Sequence, residues 1–86
     1  MPEICRFFGV VIKMHFDDHA PPHFHARYGN FTASIAISRL TLLKGALPPR
    51  VLGFVLEWAM LHRAELLENW EAARVHGELK RIQPLE

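Results

Sequence analysis

The sequence predicts a single α+β domain: a small antiparallel sheet of three or four strands in the N-terminal half, then a long or broken helix packed on one face. Three observations carry this. Residues 7–37 alternate with period two, residues 51–75 repeat with the helical period, and the change falls at the turn-forming run Gly45-Ala46-Leu47-Pro48-Pro49. The 86 residues make one domain over 1–86, strand-rich over 1–45 and helical over 48–76.

The stretch FFGVVIKMHF, Phe7 to Phe16, reads as a strand. Phe8, Val10, Ile12, Met14 and Phe16 share a wholly apolar face; Phe7, Gly9, Val11, Lys13 and His15 share one that begins apolar and ends polar. Next, Tyr28-Gly29-Asn30-Phe31 has the composition of a two-residue hairpin turn, with Gly29 supplying the positive φ of type II′. That turn pairs Tyr28 with Phe31, Ala26 with Ala33 and Phe24 with Ile35 on one face. The opposite face then holds Arg27 beside Thr32, His25 beside Ser34, and His23 beside Ala36. A slip of one residue would put the aromatics in water, so pattern and turn chemistry agree on one register.

Leu40–Leu43 suits a short further strand, and Pro49 suits a first helical turn, where a missing N–H costs nothing. Val51, Leu52, Val55, Ala59, Leu66, Trp70 and Ala73 then form one helical stripe, with Glu57, Glu68 and Glu71 opposite and Gly77 as the stop. Unbroken, that helix would be about 37 Å long, against a radius of gyration of about 12 Å for a domain of this size. A bend near His62-Arg63, or an overhang, is therefore expected. Residues 79–83 admit a short edge strand ended by Pro84.

Ten basic residues against nine acidic give a net charge of +1, which supplies no global drive toward nucleic acid or an anionic membrane. The one cysteine, Cys5, excludes an internal disulfide; with no signal-like opening and no apolar run of spanning length, this points to a soluble protein of a reducing cytoplasm.

The chemistry-bearing stretch is DDHAPPHFHARYG, Asp17 to Gly29. His23 and His25, two apart on one strand face, can reach a single ion, with His19 from the preceding loop as third ligand and Asp17 or Asp18 as ligand or orienter. Three histidines and an open position would suit zinc or another divalent transition metal. Without metal, imidazoles beside Arg27 and Lys13 suit phosphate binding or proton transfer. The bland alternative is a solvated surface, with Asp18 capping a turn. Catalytic candidates are His23, His25, Arg27 and His62. On the helix, His62, Glu65 and Asn69 lie by the apolar stripe near Trp58, where a structural hydrogen-bond network is favoured over catalysis. The hairpin's apolar face should meet the helix, leaving His23, His25 and Arg27 directed away from Asn69. The other face, with Phe7, Val11 and Ala36 on it, would be partly apolar, which suggests cover by a second copy or a partner.

The segments CRFFGVVIKMHFDDHAPPHFHARYG, LPPRVLGFVLEWAMLHRAELLENWE and LKRIQPLE resemble the small bacterial family known as domain of unknown function 4160. The resemblance covers nearly the whole chain. It implies a stand-alone cytoplasmic domain of toxin–antitoxin-like or regulatory association, with recurrent positions at Asp18, His19, His23, His25, Tyr28, Trp58, His62, Glu65, Asn69 and Trp70. His15 stands where relatives show an aromatic such as tyrosine, so the resemblance removes it from the ligand candidates. The function expected is an interaction component of a toxin–antitoxin-like or regulatory pair, with a small partner protein and Tyr28, Trp58, Glu65, Asn69 and Trp70 in structural or interaction roles. The alternative is a small hydrolase or nuclease using His19, His23 and His25.

Overall fold

The structure, a computed structural model, describes residues 2–16 and 18–86; Asp17, weighed above as a ligand or orienter, lies outside the described residues. Five antiparallel strands form one sheet in sequential order: β1 Glu3–Phe7, β2 Val10–Lys13, β3 His23–Tyr28, β4 Phe31–Ala36 and β5 Leu42–Gly45. Two helices follow, α1 Pro49–Leu61 and α2 Arg63–Arg74. The α+β arrangement is the one read from the sequence, with a fifth strand added.

The added strand comes from a turn inside FFGVVIKMHF. Phe8 and Gly9 both have positive φ (48° and 81°), the signature of a type I′ hairpin turn, and β1 pairs with β2 from Phe7↔Val10 outward. Continuous alternation conceals the break, because Phe8 is apolar although it sits in a turn. Its ring packs edge-on against Phe7 at 5.8 Å and Phe54 of α1 at 5.2 Å instead of lying on the sheet. Phe7 consequently moves to the covered side, 5.5 Å from Trp58.

The β3–β4 register is the predicted one throughout, from Tyr28↔Phe31 to His23↔Ala36. Gly29 has φ +58° and Asn30 stays out of the left-handed region, as a type II′ turn requires. β5 begins two residues later than expected because Leu40, at φ 53°, belongs to the preceding turn. Gly45 cannot be replaced without rearrangement: it has φ +80°, and an added Cβ would lie 2.1 Å from the Thr32 carbonyl oxygen.

Pro49 occupies the first turn of α1, and the helix breaks at His62. There φ is −121°, and the backbone N–H is shared between the Trp58 and Ala59 carbonyls. A continuous helix of about 37 Å would exceed the longest molecular dimension, 33 Å. The break lets α2 fold back over the sheet. α2 ends in a Schellman motif whose left-handed residue is His76 (φ 54°) in place of the expected glycine; His76 N–H donates to Ala73 and Gly77 N–H to Ala72.

Beneath the helices, Trp58, Val55, Ala59 and Leu66 meet Phe24, Ile12, Ile35 and Ile37, all fully buried. Residues 77–86 form no strand. One backbone bond, Ile82 N–H to Ile4 O at 2.8 Å, joins the tail to β1. Side chains hold the rest: the Asn69 amide donates to and accepts from the Lys80 backbone (2.9 and 3.0 Å), and Trp58 Nε1–H donates to Gln83 O at 2.8 Å. Among the described residues, no helix is long and apolar enough to cross a membrane.

Candidate functional site

The helices cover one face of the sheet, so strand alternation sends every second side chain of β2–β5 to the uncovered one. Two cross-strand rows result. One runs Arg6, Val11, Arg27, Thr32; the next runs Lys13, His25, Ser34, Lys44. With Phe7 on the other side, and Val11 and Ala36 already buried by their neighbours, this face is more cationic and less apolar than its sequence suggested. No ion pair among the described residues engages Lys13, Arg27 or Lys44. Together with His15, Asp18 and His25 they line a concavity of about 640 Å³.

The loop between β2 and β3 brings the acid. Asp18 Oδ2 lies 2.9 Å from His25 Nε2, 2.9 Å from His23 Nε2 and 3.8 Å from His15 Nδ1. Its other oxygen, Oδ1, accepts the backbone N–H of His19 at 3.0 Å. His25 Nε2–H donates to the carboxylate, which leaves Nδ1 to accept from the Ser34 hydroxyl at 3.2 Å. His15 stacks on His25 with ring centroids 3.7 Å apart and an interplanar angle of 11°. His23 is almost enclosed, lying 5.2 Å from Trp70 and 5.0 Å from His25, and its Nδ1–H donates to Pro21 O at 2.7 Å.

Electrostatics act on Asp18 and His15 in particular. Burial opposes ionisation of Asp18 most strongly, yet the His25 hydrogen bond, the His19 N–H and the nearby imidazoles together hold its carboxyl below the ordinary range. Burial and the neighbouring His25 push His15 down, with Asp18 pulling the other way, so neutral imidazole is favoured there.

The sequence candidates separate into three groups. His23, His25 and Asp18 converge, with Arg27 one residue pair along the same face. His19 is exposed; it meets Asp18 through its backbone N–H, and its ring is not in the group of ligand atoms around Asp18. His62 pairs with Glu65 at 2.6 Å at the helix break, and Asn69 clasps the tail, so both belong to the structural network and stand apart from the histidine loop. Tyr28 packs over Gly9, 3.2 Å from where a Cβ would sit there; Trp58 fills the core, and Trp70 walls His23.

His15 is the residue that sequence reasoning set aside and the fold brings in. Its signal was its alternation with Lys13, which pairs with His25. His15, Asp18 and His25 each offer a ligand atom within 4.8 Å of the others.

Neither the curated proteins nor the solved structures gave a match. A family model matches residues 9–71, from the first hairpin turn through most of α2, and the chain belongs to that family, described as Domain of unknown function (DUF4160).

Proposed function

We propose that the protein is a small interaction domain that works through the uncovered face of its sheet, as one component of a bacterial toxin–antitoxin-like or regulatory pair. The observation that carries this is a set of cations, Lys13, Arg27 and Lys44, that make no ion pair among the described residues and lie on a five-stranded sheet with helices on one side only. A surface of this kind selects an acidic partner, because complementary potential speeds encounter and excludes wrong partners. A second copy fits less well: a two-fold interface would set this cationic face against itself.

The test is co-purification with the product of the adjacent gene. A complex is expected, and Arg27→Glu with Lys44→Glu should abolish it. Absence of any complex at micromolar concentration, or one indifferent to those reversals, would overturn the reading.

The hydrolase or nuclease reading draws on a different observation: His25 holds a hydroxyl on one nitrogen and a carboxylate on the other, the arrangement a general base requires. A nuclease or esterase assay decides it. Activity lost in His23→Ala and His25→Ala would support it, and inactivity of the wild-type chain would sink it.

A further inference from the structure

The carboxylate oxygen of Asp18 sits where three imidazole nitrogens point, at 2.9, 2.9 and 3.8 Å. The surroundings of this convergence resemble those of a metal centre. In metal sites, ligating imidazoles and carboxylates are held by further hydrogen bonds that fix tautomer and direction. Here Ser34 Oγ holds the far nitrogen of His25, and the His19 N–H holds the far oxygen of Asp18. His23, anchored on Pro21 O, closes the enclosed side, its Nε2 lying 2.9 Å from Asp18 Oδ2.

We propose that His15, Asp18 and His25 bind one divalent transition-metal ion, each giving one ligand atom, with the remaining coordination positions open toward the concavity. Two imidazoles and one carboxylate select zinc, cobalt, nickel or ferrous iron over calcium or magnesium, which prefer all-oxygen shells. The ligand atoms lie within 4.8 Å of one another. Ligands at about 2.0–2.2 Å from a common ion are separated by roughly 3–4.4 Å, so loading needs only a small contraction. The stacked rings of His15 and His25 must also splay, since parallel rings direct their lone pairs side by side. Both side chains are partly exposed, at 31% and 26%, which leaves room for that rotation. Loading moves the proton that His25 now gives to Asp18 from Nε2 to Nδ1, where the Ser34 hydroxyl oxygen accepts it, so the imidazole stays neutral as a ligand.

This site differs from the one the sequence suggested: His15 enters and His19 leaves. The experiment is a titration of chelator-treated free chain, carrying no polyhistidine tag, with Zn²⁺ by calorimetry and Co²⁺ by visible absorption. One ion per chain at micromolar or tighter affinity is expected. His15→Phe, which keeps the ring stack, and His25→Ala should each weaken binding by at least about tenfold, while His19→Ala changes it by less than about twofold. Absence of saturable binding up to millimolar metal would overturn the proposal. So would binding that survives His15→Phe and is lost in His19→Ala. Because no partner is present, failure here and failure of the pair reading are separate results.

Discussion

On the covered side of the sheet, Phe24, Ala26, Ala33 and Ile35 are buried to within a few per cent and meet Trp58 and its neighbours. On the other side of the same two strands, His25, Arg27, Thr32 and Ser34 point into an open concavity with no helix above it. Adjacent residues thus answer to different constraints. The covered face is governed by volume, where a missing methylene leaves a void; the open face is governed by charge and hydrogen-bond direction, where side chains change with little effect on packing. Stability and function should therefore separate along the strands, residue by residue.

Removing the central ring should have the largest effect. Trp58→Ala takes away the side chain between Phe7 and Phe24, together with its bond to Gln83. A loss of about 3–5 kcal/mol in chemical denaturation is expected. Next comes the tail clasp. Asn69→Ala removes a buried amide and leaves the part-buried Lys80 N–H and C=O without their partner, and should cost about 1–3 kcal/mol. It should also speed proteolysis of residues 77–86, measurable by mass spectrometry.

Acid probes the open face. Asp18 is held below its usual value, so its contribution is complete above about pH 4, the unfolded range, and is lost as pH falls through the lowered folded value. His15 is also lowered. Its contribution is complete above the unfolded value of about 6.5 and declines as pH falls toward the folded one. Both slopes have the same sign, so the thermal midpoint of chelator-treated protein should fall as pH drops from about 7, first through His15 and then, below about pH 4, through Asp18, and His15→Phe should flatten the upper part of that curve. Smallest of all should be the stability change in Arg27→Glu or Lys44→Glu, within about 0.5 kcal/mol. A larger loss would show that the open face shares in stabilising the core.

The hairpin about Gly29-Asn30 was legible because turn chemistry and alternation specify the same register, and the break at His62 because an unbroken helix outruns the domain. The Phe8-Gly9 turn was not, since an apolar residue in a turn continues the alternation on either side. The tail departs from its strand-like composition for a related reason: Leu79-Lys80-Arg81-Ile82 suits a strand, but Asn69, Trp58 and Glu3 take the backbone and side-chain bonds of this segment and of Gln83 beside it. In the site, the common direction of His25 and Arg27 followed from the register. The position of the β2–β3 loop did not, because it depends on Asp18 reaching His23 and His25 across several residues. Pairing β2 beside β3 then brought His15 over His25, a long-range contact that local periodicity does not encode.

The proposed function puts the partner on the uncovered face, and amide chemical-shift mapping of labelled protein with the product of the adjacent gene checks that placement. The largest perturbations should fall on Lys13, His25, Arg27, Thr32, Ser34 and Lys44, with the outer surfaces of α1 and α2 unmoved. Perturbations confined to the helices, with those strand residues unchanged, would contradict it.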